Sequence, residues 1–324
     1  MKKVKTILSI LLAAALILAF GAPCTFAEGE KKTGTYSLFA LGYGGDIRET
    51  AGTGQTSELI LEDGGTGTMT FGDTSGEITS WTIEGDAVSI TMSDGSNTTG
   101  KYRSDFGVIE LDISGYTGYY GQEGADTGRY LSPDTRLFRL YQGLDAKAGV
   151  HMRYSMHTDY LDSDSDFDVH ALDGVYYSAR TIKVSGYEDQ TATFFKDGTA
   201  YVLDPQNMTA KVATSTGSSL IANNVLLMDS LYSLISGRAK SLDFTVQTRE
   251  LNGVQYSADV YPATEYQAEI AFLFDDSGNL TGCIEGPPVL ASAAEIGESV
   301  YTVECIDDGV DTALLDLSAF QIVG

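Results

Sequence analysis

Histidine is nearly missing from this chain: three in 324 residues, alongside three cysteines, one tryptophan and six prolines. Any nucleophile–base pair would have to recruit His151, His157 or His170. No Gly-x-Ser-x-Gly elbow, His-Glu-x-x-His helix, Walker loop or Cys-x-x-Cys pair occurs. No catalytic residue and no cofactor is therefore assigned. Basic side chains are also scarce, 20 Lys and Arg against 45 Asp and Glu, for a net charge of −25. A field of that sign repels nucleic acid and anionic membrane surfaces, so nucleic acid is excluded as a partner.

Long apolar runs are absent but for one. Lys2, Lys3 and Lys5 precede an uncharged stretch from Ile7 to Phe20, and Thr25, Phe26 and Ala27 follow with small residues where a signal peptidase reads. This is the three-part pattern of a secretory signal over residues 1–27, and the run is shorter than the ~20 residues of a membrane span. Pro23 directly before Cys24 fits lipid anchoring poorly. The expected product is a secreted, extracellular chain beginning at Glu28, with no transmembrane helix. Loss of the three lysines takes its charge from −25 to −28.

What is abundant is glycine, 36 residues. After a charged leader (28–33), Gly/Asp turns recur about every ten residues, at Asp63-Gly64-Gly65, Gly72-Asp73, Gly85-Asp86 and Asp94-Gly95. Between them apolar residues alternate: Leu59 and Leu61, Met69 and Phe71, Trp81 and Ile83, Val88, Ile90 and Met92, then Ile109, Leu111 and Ile113. Period two with regular turns predicts an antiparallel meander. Ser114–Tyr130 reads as a Gly/Tyr loop and Leu137–Tyr141 as a last strand, making 34–142 one small barrel or sandwich. The expected fold class is mainly β throughout, with a curved antiparallel half-barrel over 149–324.

One helix is expected in that second part, over 223–236. Asn223 or Asn224 supplies its N-cap, Val225–Ile235 is apolar at most positions, and Gly237 ends it. A helix so apolar must be buried on most sides. Strands alternating on one face cover only one side of it, so Leu226, Leu227, Met228, Leu231, Leu234 and Ile235 are the candidate lining of an apolar ligand site.

Gly34-Thr35-Tyr36, the Leu59–Leu61 strand with its acidic turn, and Ile78–Trp81 resemble the lipocalin-like meander modules of secreted bacterial proteins. The strands from Tyr176 to Lys211, the apolar helix, Asn252–Tyr256 and Phe272–Asp275 resemble, in element order, a lipoprotein-carrier half-barrel. That resemblance implies acyl chains sheltered against a concave sheet. The expected function is a secreted, non-enzymatic binding protein for an apolar or lipid-like ligand. A surface or matrix interaction module, with a cell-surface component as partner, and an extracellular metal-assisted hydrolase are the alternatives.

Two further expectations concern side-chain clusters. If the hairpin after Gly149 turns at Ser163-Asp164, His157 faces His170 and Asp159 faces Asp168, so His157, Asp159, Asp168 and His170 form a candidate zinc-type set. Asp162, Asp164, Asp166 and Asp168 alternate as in a calcium loop, but Phe167 stands where such a loop needs glycine. Cys283 and Cys305 lie on strands expected to pair, and a disulfide between them follows from that pairing and from export.

Overall fold

The structure, a computed structural model, describes residues 32–43, 46–145, 149–214, 224–264, 267–287 and 297–323. The export segment and its cleavage point lie outside the described residues.

The first part is a closed barrel. Its strands are β1 (Gly34–Tyr43), β2 (Asp46–Glu49), β3 (Ser57–Leu61), β4 (Gly67–Phe71), β5 (Thr74–Glu84), β6 (Ala87–Met92), β7 (Asn97–Arg103), β8 (Val108–Ile113) and β9 (Tyr116–Gln122). From β3 to β9 each strand pairs with the next, and β9 returns to pair antiparallel with β1. Eight strands thus close the ring, with β2 added beside the end of β1. The interior is filled by side chains including Tyr36, Leu59, Leu61, Ile90, Tyr102, Leu111 and Tyr120. This is a packed core, as expected at eight strands.

The closing strand is the segment expected to be a loop. Gly118 and Gly121 hide its alternation, because they stand where rings need room. A Cβ at Gly118 would lie 2.7 Å from the Tyr120 ring, and one at Gly42 2.9 Å from the Tyr119 hydroxyl. The pairing of β1 with β9 shifts register between Leu38 and Ala40. Tyr36 and Leu38 therefore point inward while Ala40 joins an outer cluster with Ile47, Val108, Tyr119 and Tyr130.

Two helices follow, α1 (Thr127–Leu131) and α2 (Arg136–Asp145). The expected strand at Leu137–Tyr141 is thus helical. Leu137, Leu140 or Tyr141, and Leu144 recur at helical spacing, and Leu137 and Leu144 are buried in the core of the second sheet, not of the barrel. The chain's allegiance changes before residue 142.

The second sheet has twelve strands: β10 (Gly149–Thr158), β11 (Ser163–Leu172), β12 (Val175–Val184), β13 (Tyr187–Lys196), β14 (Thr199–Asp204), β15 (Thr209–Thr214), β16 (Thr245–Leu251), β17 (Val254–Tyr261), β18 (Ile270–Phe274), β19 (Leu280–Glu285), β20 (Ser299–Asp307) and β21 (Gln321–Val323). Its order is β16-β17-β18-β19-β20-β10-β11-β12-β13-β14-β15-β21. The sheet is curved, and all neighbours are antiparallel except β15 with β21. Asp197-Gly198 and Asn252-Gly253 make two-residue hairpin turns with positive φ at both positions, the geometry that matches strand twist. The final segment makes two short 3-10 turns, Thr312–Leu315 and Leu317–Ala319, before β21, and its Leu317 and Phe320 pack on the convex face against the Phe194 cluster.

The expected helix divides in two. Asn224 caps a 3-10 turn over Val225–Met228, and Asp229 breaks it and caps α3 (Ser230–Ala239). Both α2 and α3 lie on the concave face, where Leu137, Leu231, Tyr232 and Ile235 meet Met152, Tyr154, Phe272 and Tyr301.

The disulfide expectation is corrected here. Strands β19 and β20 do pair, but Cys283 stands opposite Tyr301, and Cys305 opposite Arg153 on β10. A register step between Val303 and Cys305 turns Cys305 to the convex face, while Cys283 is buried in the concave core. Both are free thiols. Alkylation in metal-free buffer, read by peptide mass, is expected to modify Cys305 in the native protein and Cys283 only after unfolding. A linked peptide carrying both would contradict this arrangement.

Candidate binding site

The concave face is covered unevenly. Over β17 and β18 the helix α2 is fixed by Arg136, which ion-pairs with buried Asp259, donates to Ser257 Oγ (3.0 Å) and lies over the Phe274 ring. Further along the sheet, between the Met228–Ser230 corner and strands β10 to β13, a cavity of about 330 Å³ remains. Its walls are Met156 of β10, Phe167 of β11, Tyr176, Ser178 and Arg180 of β12, Thr191 and Thr193 of β13, and Met228, Asp229 and Ser230. That volume lies at the lower end of the range for small-molecule sites.

Two charged groups give the cavity its chemistry. Asp229 is 2% exposed. Its carboxylate accepts from the Tyr232 backbone N–H (2.8 Å) and from the Tyr154 hydroxyl (2.8 Å), which also lies 3.0 Å from Ser230 Oγ. Burial outweighs these bonds and pushes its carboxyl up to about 6. Arg180 stacks over the Phe167 ring and donates from Nη2 to Ser165 Oγ (3.2 Å). Its Nε is buried without a hydrogen-bond partner among the described residues. An orphaned guanidinium N–H is costly, and here it belongs to a residue that walls the cavity.

Of the six expected ligand-lining residues, Leu226, Leu231 and Ile235 are buried core. Leu227 and Leu234 pack against that core from its margin, and Met228 alone lines the cavity. The apolar surface of the helix is satisfied by α2 and the sheet, so its hydrophobicity marks packing. Arg180 is not among the residues that the apolar pattern marks; its signal is the alternation of Tyr176, Ser178 and Arg180 on one face of β12, which is the concave one.

The expected zinc-type set is separated. Strands β10 and β11 pair His151 with His170, Arg153 with Asp168 and His157 with Asp164, because the turn is a 3-10 turn at Asp159–Leu161 closed by Asp162 in the left-handed region. His157 therefore sits six strand positions from His170, about 20 Å at 3.4 Å per residue. It meets Asp164 (2.9 Å) and Asp159 (3.6 Å), and the bond to Asp164 raises its pKa. Burial lowers that of His170. The register is displaced by an even number, so His157, Asp168 and His170 keep their expected face, while Asp159 lies in the turn. The aspartates read as an acidic loop lie mostly on β11, where Asp164, Asp166 and Asp168 face His157, Lys183 and Arg153.

Two larger hollows exist. One of about 520 Å³ separates the barrel from the end of α3; in its wall Arg103 pairs with its barrel neighbour Glu110 (2.6 Å), and Arg103 and Lys101 pair across it with Asp243 (2.7 and 2.5 Å). The other, about 790 Å³, borders the exposed Asp275–Asn279 turn. Among the described residues no helix is long and apolar enough to cross a membrane.

No family model matches the chain, and no curated protein matches it. Among solved structures it is similar to an uncharacterized conserved protein from Thermus thermophilus (7% identity, TM-score 0.34, 57% of this chain and 96% of that one). It is similar to LprF from Mycobacterium bovis (14%, TM-score 0.33, 56% and 97%). A third match is MucB in complex with MucA(peri) (11%, TM-score 0.30, 61% and 62%). Similarity of this degree carries no functional argument.

Proposed function

We propose that this is a non-enzymatic binding protein, exported from the cytoplasm, that holds a single-chain amphiphile in the cavity beside Met228. The apolar body of the ligand lies between Met156, Phe167 and Met228, and an oxygen of its head group accepts from Arg180. The observation that carries this reading is the buried Nε of Arg180, without a hydrogen-bond partner among the described residues, in the wall of a cavity whose apolar side is Met156, Phe167 and Met228 and whose polar side includes Ser178, Asp229 and Ser230. The basic start and uncharged run of residues 1–27 support export.

The test is displacement of a fluorescent fatty acid by unlabelled long-chain fatty acid. Wild-type protein is expected to bind saturably at one site. Arg180→Ala is expected to weaken binding about 10–100-fold, since a hydrogen bond to a charged group is worth roughly 1.5–3 kcal/mol. Absence of saturable binding, or equal affinity in Arg180→Ala, would overturn the proposal.

A further inference from the structure

On the convex face of the second sheet, away from the cavity, three different metal-ligating groups converge. His151 Nδ1 lies 3.0 Å from Asp307 Oδ1 and 3.8 Å from Cys305 Sγ. All three ligand atoms fall within 4.8 Å of one another. Zinc bonds of ~2.0–2.1 Å to nitrogen or oxygen and ~2.3 Å to sulfur, at a tetrahedral angle, require ligand-to-ligand edges of about 3.3–3.6 Å. The observed separations bracket those edges.

The hydrogen bonds behind the cluster decide which imidazole nitrogen is free. The Asp311 backbone N–H donates to His170 Nδ1 (3.2 Å), so His170 carries its proton on Nε2 and donates to Asp168 Oδ1 (3.2 Å). His151 Nε2 lies 3.0 Å from the same oxygen and donates to it. The other oxygen of Asp168 is held by Arg153 (3.3 Å). With both Nε2 atoms protonated, the alternative grouping of His151, Asp168 and His170 has no imidazole lone pair to give. His151 Nδ1 is turned to Asp307 and Cys305, and a cation bound there takes its lone pair, any proton on Nδ1 leaving to solvent. A carboxylate that fixes the tautomer of a ligating histidine is the usual outer shell of such a site.

The strand register supplies the third ligand. The step that leaves Glu304 unpaired re-aims Cys305 from the concave core to the outer face. Asp307 is set by the Gly309 backbone N–H (2.8 Å). His151 is 12% exposed and Asp307 48%, which leaves a solvent side for a fourth, water ligand.

We infer that His151 Nδ1, Cys305 Sγ and Asp307 Oδ1 form a binding site for a zinc-like divalent cation, with Asp168 as the residue that orients His151. The site would clip β10 to the end of β20. Cys305 enters as the thiolate, so its proton leaves to solvent when the metal–sulfur bond forms.

The experiment is titration of chelator-stripped protein with cobalt(II) as an optical probe, followed by displacement with zinc. Expected are one equivalent of cobalt, a cobalt–thiolate charge-transfer band, its loss on adding zinc, and its absence in Cys305→Ser. Asp168→Asn is expected to weaken binding about 10–100-fold. His157→Ala should leave the titration unchanged, and zinc should slow alkylation of Cys305. The proposal is overturned by no thiolate band in the wild type, a band that survives Cys305→Ser, or binding lost in His157→Ala. The first outcome would leave His151 held by hydrogen bonds to Asp168 and Asp307 only.

Discussion

Replacing Asp229 by Asn is expected to change how stability depends on pH more than any other single substitution at the cavity. The carboxyl of Asp229 stands at about 6 in the folded protein, raised by burial from an ordinary 3.8. Between those values the folded state binds the proton more tightly than the unfolded chain. Stability from this group is therefore greatest below pH 4 and declines as pH rises to and beyond 6. Integrated from pH 4 to pH 7, the decline is about 2 kcal/mol. Asn keeps an oxygen for the Tyr232 N–H and does not titrate. Urea unfolding of both proteins at pH 4 and pH 7 should show the variant gaining about 2 kcal/mol on the wild type across that range. Parallel curves would mean that Asp229 is not held in a dry, ligand-facing corner.

The second large effect is expected in the barrel. Gly100 on β7 has no room for a side chain: a Cβ there would lie 1.8 Å from the Glu110 carbonyl oxygen and 3.1 Å from Leu111 Cα. Both are backbone atoms of the paired strand β8, and a closed ring offers no edge toward which β8 can retreat. Gly100→Ala is expected to cost on the order of 3 kcal/mol or more, from overpacking and from ladder bonds pulled apart. Gly143→Ala, in α2 with nothing within 4 Å of its Cβ position, should instead stabilise by about 0.5–1 kcal/mol. The single tryptophan, Trp81, lies on β5 and bonds the Glu62 and Thr66 carbonyls, so its fluorescence reports barrel unfolding directly. Equal stability of Gly100→Ala and wild type would contradict the closed register.

Sequence pattern carried the architecture where one face of a strand is apolar and the other polar. Strands β3, β5, β6 and β8 and the one-sided β10 follow alternation that a reader can count. It failed in three places with distinct causes. In β9, glycines replaced the residues that would have completed the alternation. In α2, Leu137, Phe138, Leu140 and Tyr141 fit a short strand as well as one helical turn, and only packing against α3 decides. In the β10–β11 hairpin, an Asp-rich turn without glycine left the register open to an even slip.

The candidate sites were less legible for the same reason. Hydrophobic residues of the helix announce burial but not what buries them, and most are buried by protein. Arg180 and Cys305 take their meaning from tertiary placement: one on a concave face left uncovered, the other turned outward by a register step. Neither step nor coverage is encoded in local spacing.

The ligand site itself is tested most directly by methionine-methyl NMR. Of the chain's seven methionines, Met156 and Met228 wall the cavity, while Met69 and Met92 pack in the barrel. On titration with a long-chain fatty acid, the Met156 and Met228 methyl signals are expected to shift together and saturably, with Met69 and Met92 unmoved. Unchanged Met156 and Met228 signals, or shifts confined to Met69 and Met92, would contradict a ligand held between the Met228 corner and the concave sheet.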